Sequence, residues 1–451
     1  MNETQLILAV VLGIGGLLFL VIRIKLHAFI ALLLVSLLIG LGAGMPPQAV
    51  LSAMEQGMGK TLGFVAIVVG LGAMFGRMLE VSGGAESLAQ RLLEVFGENR
   101  SQWALATTGF IISIPVFFDV AFIILIPLLY GLTRKTGRPL MFFSIPLLAG
   151  MVVTHAFIPP TPGPIAVANL LGADLGWVIL FGTIVGIPCT LVSGPLFGAW
   201  IARRVPAQIP SYMHFEEGPV PGADPKELPS FRSVFLLILF PILLILANTV
   251  SGVLLPGESR VRSVLTFIGH PFCALLLTTI ACFFSLGRLR GYSRAEVREI
   301  ATKALEPAGI IILVTGAGGV LKEILITSGV GEVIKTHLAE ASVPLVLLGF
   351  IVSASVRVMQ GSATVAMVAG AGLLAPMVAE SGASQPLLAL LVLSTAAGAT
   401  FLSHVNDSGF WLVNRYLGLS VPDTLKTWSV MTMLIGLIGL ALLLLLNLFV
   451  H

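Results

Sequence analysis

From Leu6 to Val450 the chain is a succession of apolar runs about as long as a bilayer is thick, and two of them carry a polar break in the middle. Leu6–Ile22, Ala28–Gly44, Leu175–Ile201, Val234–Val253 and Ser429–Val450 approach or exceed the ~20 residues an α-helix needs to cross hydrocarbon. Only 10% of the 451 residues are charged and 57% are hydrophobic, where a soluble protein has about 25% charged residues. A backbone in lipid must satisfy its own hydrogen bonds, so the fold class is all-α, polytopic and embedded in a membrane. A net charge of +3 gives no reason to expect nucleic acid as a partner. Cys189, Cys273 and Cys282 sit in apolar runs without disulfide or metal spacing. Met1-Asn-Glu-Thr-Gln5 has no basic residue and no cleavage site follows, so a signal peptide is not expected.

The breaks say more than the runs. Ser403-His404-Val405-Asn406-Asp407-Ser408 interrupts the apolar stretch 386–417, and Thr154-His155-Ala156-Phe157-Ile158-Pro159-Pro160-Thr161-Pro162-Gly163 interrupts 140–171. Polar groups at membrane depth cost several kcal/mol unless they face a cavity or one another. Asn, Asp, Ser and Pro also oppose a continuous helix. Two helices broken near the midplane are therefore expected.

Landmarks recur at a separation of 246 residues: Gly70-Leu-Gly-Ala73 with Gly316-Ala-Gly-Gly319, Ser82-Gly83 with Ser328-Gly329, Leu171-Gly172 with Leu417-Gly418. The hydroxyl–His pairs at 155 and 404 recur at 249. A period near half the chain is a duplication, and paired broken helices in a duplicated chain point to a secondary transporter. The expected plan is a first repeat, 1–204, a Pro-rich hydrophilic linker, 205–231, and a second repeat, 232–451.

Each repeat is expected to hold five spans, one of them broken, and one re-entrant hairpin. The hairpins are 103–132, with Phe118-Asp119 at the tip, and 344–376, with Arg357 to Thr364 at the tip. Arms of about 12 residues reach ~18 Å, half of the hydrocarbon core. With the N-terminus outside, external segments hold only Lys60, Arg260, Arg262 and Lys335. Lys322 and Arg357 lie at membrane depth, and the rest of the 25 Lys and Arg are cytoplasmic. An odd number of spans inverts the second repeat, so the hairpins enter from opposite sides. Cysteines placed at 134–138 and at 86–98 should then both label from the cytoplasm only. Labelling of either from outside would make 103–132 a full span.

Among candidate site residues, an intramembrane acid is a functional hypothesis by default, so Asp119 and Asp407 are candidate proton carriers. Either can instead cap the half-helix that follows it. His155 and His404 titrate near neutrality and suit the same task. The N–H groups of Thr161 and Gly163 open a half-helix where an anion can bind. Arg357 is the cation for an anionic substrate, because a guanidinium matches carboxylate geometry. Gln360, Gly361, Ser362 and Thr364 supply donors and a close backbone, and Asn406 and Ser408 supply polar partners in the second break. Thr315-Gly-Ala-Gly-Gly319 and Val69-Gly-Leu-Gly72 read as helix-packing surfaces. No Walker A loop, His-Glu-x-x-His or Gly-x-Ser-x-Gly is present, so neither a pump with its own ATPase nor one of those enzymes is expected. No cofactor and no metal are expected.

At His27-Ala-Phe-Ile-Ala-Leu32, Gly57-Met-Gly-Lys-Thr-Leu-Gly-Phe64, Leu71-Gly-Ala-Met-Phe-Gly76, Phe117-Phe-Asp-Val-Ala121, Ile268-Gly-His-Pro-Phe272, Gln360-Gly-Ser-Ala-Thr-Val-Ala366 and Ser403-His-Val-Asn-Asp-Ser-Gly-Phe-Trp411, the sequence resembles the gluconate permease (GntP) family of the ion-transporter superfamily. The resemblance runs across nearly the whole chain. It implies proton-coupled uptake of gluconate or a similar small acid anion across the bacterial inner membrane. The superfamily implies a homodimer with scaffold and transport parts and elevator-type alternating access. Phe118-Asp119, Gln360 to Thr364 and His404 to Ser408 fall on the family's hairpin and broken-helix motifs. Phe157-Ile-Pro-Pro-Thr-Pro-Gly-Pro164 lies in a segment that varies between members, which leaves the cargo open. D-serine, another aldonate or a glycerate are alternatives within the class, and an anion channel or an intramembrane enzyme are alternatives outside it.

A buried hydrogen-bond partner left unpaired costs ~1–3 kcal/mol, so Asn406→Ala should raise the apparent KM for gluconate about ten-fold. Ser211→Ala in the linker should change nothing. Unchanged kinetics in a well-expressed Asn406→Ala protein would make the hexapeptide a structural loop.

Overall fold

The computed structural model describes residues 3–97, 100–205, 207, 209–210, 228–256, 258–329, 344–379, 382–405 and 407–450. The linker expected at 205–231 and Asn406 lie largely or wholly outside the described residues, as does the side chain of Gln360. Every regular element among the described residues is helical. Seven helices are long and apolar enough to cross a membrane: Pro47–Val81, Leu140–Leu171, Leu175–Ile201, Phe231–Leu254, Pro271–Arg290, Ala308–Thr327 and Val421–Asn447. The chain is a multi-pass membrane protein.

The element order runs twice. Ser101–Ile112 and Phe118–Thr136 form a first helical hairpin, followed by the broken helix Leu140–Phe157/Pro162–Leu171 and the span Leu175–Ile201. Leu345–Gln360 and Ala363–Ala379 form a second hairpin, followed by Gln385–Thr400/Ser408–Leu417 and Val421–Asn447. Gly172 and Gly418, at φ 74° and 61°, close the two broken helices in left-handed caps that only glycine adopts readily. His27 and His270 cap the next helix alike, each Nδ1 accepting the N–H two residues on, from Phe29 and Phe272, at 3.3 Å.

In each half the hairpin's first arm is locked to the broken helix at a glycine crossing. A Cβ on Gly109 would fall on the Leu147 carbonyl oxygen, one on Gly150 on that of Ala106, and one on Gly398 on that of Phe350. Backbones this close leave no room for a methyl group. Overpacking of this kind costs ~1–3 kcal/mol, so Gly150→Ala and Gly398→Ala should each lower the melting temperature of the protein in detergent by several degrees. Melting temperatures equal to the parent's would mean the crossings relax freely.

Around these units stand Pro47–Val81 and Leu305–Thr327, which cross where Gly57 and Thr61 meet Gly319. The glycines of 315–319 are packing surfaces here. Lys60 Nζ bridges the pair to Glu323 at 2.8 Å. Within the first broken helix 83% of the most apolar window is buried inside the protein, against 22% for Phe231–Leu254, so the breaks are interior and Phe231–Leu254 is peripheral.

Four expectations change. The third span, expected at 61–75, is the 35-residue Pro47–Val81, because no proline follows Pro47 and Gly57, a weak helix former, is packed against Gly319 and Val320. The stretch 264–286 is not one helix: Arg260–Ile268 stops, and a new helix starts at Pro271, which has no N–H to continue the ladder. The second arm of the first hairpin runs to Thr136 rather than 132, and its 19 residues span ~28 Å. The first break is only 158–161, so Thr154 and His155 lie in the last turn of an intact helix.

Candidate functional site

Three helices begin on one cavity of about 530 Å³ in the interior. Phe118 and Asp119 open one, Ala363 and Thr364 the next, Ser408 and Gly409 the third, and all six residues line the space. A helix start presents unpaired N–H groups and about half a positive charge. Two of the starts are partly satisfied: Asp407 Oδ1 accepts from Gly409 N at 3.1 Å, and Ser362 Oγ from Val365 N at 3.4 Å. The start at Phe118 has no side-chain cap. The volume lies within the ~300–1,000 Å³ of small-molecule sites.

Among the described residues the one guanidinium in this wall is Arg357, 4% exposed. Its Nη2 lies 2.5 Å from Asp407 Oδ2, and its Nη1 donates to the Gly361 carbonyl. Gly361, at φ 94°, turns the chain at the hairpin tip so that this carbonyl faces back toward the arginine. Nε is buried with no partner among the described residues. The pair joins the second hairpin to the second broken helix. The serine that starts the break extends the network: Ser403 Oγ donates to Asp407 and accepts from Trp428 Nε1 at 2.7 Å, while Ser403 N donates to Thr432 Oγ1 at 3.0 Å. Ser429 donates to the Ser403 carbonyl. The polar hexapeptide is thus tied to the terminal helix.

Of the residues singled out in the sequence, Asp119, His155, Arg357, Gly361, Ser362, Thr364, Asp407 and Ser408 line the cavity together. Gln360 ends its helix at the hairpin tip. His404 is not in the wall; its Nε2 lies 2.9 Å from the Val358 carbonyl oxygen and links the break to the hairpin. Thr161 lines a small adjoining cavity with His155, and its N–H and hydroxyl both bond the Ile158 carbonyl, at 3.4 and 2.7 Å. Gly163 packs against Met367, whose Sδ would lie 2.6 Å from an added Cβ. The two histidines are not equivalent. At the period of 246 set by Gly172 and Gly418, His155 matches Phe401, and one histidine lies in a helix while the other lies in a break. Nδ1 of His155 has no partner among the described residues.

Sequence matching places residues 5–449 in a family described as GntP family permease. The chain belongs to the GntP permease family. A gluconate permease of Pseudomonas aeruginosa is 38% identical over 448 residues, covering 99% of this chain and 98% of the relative. A low-affinity gluconate transporter of Escherichia coli K12 is 40% identical over 442 residues, 97% of each. An L-idonate transporter of the same organism is 36% identical over 445 residues, 97% of this chain and 98% of the relative. Among solved structures, the YdaH transporter of Alcanivorax borkumensis shares the fold, with a TM-score of 0.62 at 17% identity over 87% of each chain. MtrF of Neisseria gonorrhoeae follows at 0.58 and 15%, over 85% of this chain and 81% of that one.

The wall of this GntP permease also holds Thr400, Trp428, Thr432, Met367 and Ile311, which sequence reasoning passed over. Trp428 and Thr432 stand where the apolar terminal run begins, and Trp428 reads there as an interfacial anchor. The available signal was the hydroxyls Thr427, Ser429 and Thr432 standing around Trp428 where the apolar terminal run begins.

Proposed function

We propose that the protein imports gluconate, or a closely related sugar-acid anion, together with a proton across the bacterial inner membrane. The observation that carries this reading is the cavity where Arg357 and three helix starts face two carboxylates. Helix starts and a guanidinium attract an anion. Arg357 and Asp407 offset one another, so Asp119 gives the cavity wall one formal negative charge. An incoming carboxylate doubles it. Taking a proton on Asp119 relieves the repulsion, so substrate and proton bind better together than apart, which is symport. Ser362, Thr364, Ser408, Thr400 and Thr432 supply hydroxyls for a polyhydroxy acid, with Gln360 and Asn406 as further candidates from the sequence; Thr161 lies in the adjoining small cavity, out of the substrate's reach.

The two halves, 1–204 and 232–451, act as inverted repeats, their hairpins entering from opposite sides. The hairpins and broken helices form the moving part of an elevator, and the long helices Pro47–Val81 and Leu305–Thr327 belong to the scaffold of a homodimer. The gluconate relatives favour gluconate as cargo, and the L-idonate relative keeps a second aldonate in view. Purified protein in proteoliposomes should accumulate labelled gluconate with external alkalinisation, and internal unlabelled gluconate should speed labelled uptake, which a channel does not do. D-serine should be neither accumulated nor accompanied by proton movement. Accumulation of D-serine without gluconate uptake would overturn the assignment.

A further inference from the structure

Behind the tip of the first hairpin three cavities stand in series. The central cavity and a second, water-sized one of about 10 Å³ share Phe117 and His155. The second shares Ala73, Pro115, Val116 and Phe117 with a third, of about 260 Å³. That third space is charged, walled by Arg77, Glu80, Lys303 and Glu306. It lies at the end of the helices that the distribution of basic residues assigns to the cytoplasm. We propose that the coupling proton leaves the central cavity by this route, from His155 through a single water in the gap and across the third space to Glu80, and not by the path the sugar acid takes. This rests on the proton-coupled reading above.

A space of about 10 Å³ holds at most one water, which needs two to four polar partners. His155 and Thr161 line it, and the Pro160 carbonyl oxygen lies beside Gly72. A sugar acid cannot enter, so the gap passes protons and excludes cargo. The transfer balances without another reactant. An imidazole nitrogen of His155 takes the proton on its lone pair and passes it to the water. The gap water hands one of its own protons to water of the third space, which passes one on to the Glu80 carboxylate in that wall; the carboxylate releases it to the cytoplasm, and every group returns to its starting form. Glu80 is held by Arg77 on its own helix. Lys303 and Glu306 face the same space from the neighbouring helices, and Lys303 is paired with Glu299 at 2.7 Å. The hairpin tip adds only Pro115, Val116 and Phe117 to this wall.

Two substitutions test the route by different means. Glu80→Gln keeps the shape and removes the acceptor. Gly72→Ala puts a methyl group into the water-sized gap, 3.6 Å from the nearest heavy atom, the Pro160 oxygen, so it fits without displacing the helix. In proteoliposomes with an internal pH indicator, both variants should lower gluconate-driven proton entry at least about ten-fold, since a positioned proton-transfer group contributes ~10²–10⁴-fold. Exchange of labelled for unlabelled gluconate at equal concentrations, which moves no net proton, should stay at the parent's rate. Proton entry at the parent's rate in both variants overturns the route. Loss of exchange together with proton entry in Gly72→Ala overturns it as well, because the gap would then serve the substrate. If the parent protein accumulates gluconate without moving protons, the symport reading itself fails, and the route with it.

Discussion

Replacing Arg357 by Gln is expected to abolish uptake and to weaken the fold. The guanidinium is almost wholly buried, with Nη2 on Asp407 and Nη1 on the Gly361 carbonyl. Removing one partner of a buried pair leaves the other charge uncompensated, at a cost of ~3–5 kcal/mol. At 1.4 kcal/mol per decade this is a loss on the order of a hundred-fold or more in occupancy of the competent state. Arg357→Lys should not rescue, because a single ammonium does not reproduce the planar fork that reaches a carboxylate and a carbonyl at once. The double variant Arg357→Gln/Asp407→Asn should recover most of the melting temperature, since it removes both charges, but it should not recover gluconate affinity. Uptake and thermal stability measured on the same detergent preparations separate the two effects. Arg357→Gln protein with the parent's uptake would remove this pair from the site.

Asp119→Asn should uncouple rather than disable. Asp119 stands in the first turn of Phe118–Thr136, is exposed to the central cavity and makes no ion pair among the described residues, so the amide keeps the shape and removes only the titrating group. Proton-driven accumulation should collapse to simple equilibration of gluconate across the membrane. Counterflow should persist, and it should lose whatever dependence on pH the parent shows. If the variant concentrates gluconate against a gradient as the parent does, Asp119 would be falsified as a proton carrier.

Much of the architecture was legible because membrane insertion writes itself into composition. The broken helices were visible as polar residues inside apolar runs, and the first hairpin as a 30-residue apolar run interrupted between Ile114 and Asp119 with basic residues on both flanks. Boundaries were less legible. Residues 47–60 are polar enough to read as loop, yet nothing in them stops a helix, so Pro47–Val81 runs on past the apolar stretch. The symmetry of the histidines misled for a related reason. Hydroxyl–His occurs in both halves, but a three-residue offset from the period puts His155 in a helix and His404 in a break.

The sequence by itself determined that the chain crosses a membrane repeatedly, that two of its apolar runs are interrupted by polar breaks, and which acids and hydroxyls stand in the second of them. Those facts follow from local pattern, since hydrocarbon penalises each unpaired polar group where it stands. Only the tertiary structure decided who meets whom. Arg357 and Asp407 are 50 residues apart in the chain and 2.5 Å apart in space. Trp428 reaches Ser403 across a helix boundary, and His155 opens onto both the central cavity and the gap behind the hairpin. Each of these contacts depends on how hairpins and broken helices pack at glycine crossings, where backbones approach to within a carbonyl's width. That approach is a property of two surfaces fitting each other, and no single segment encodes it.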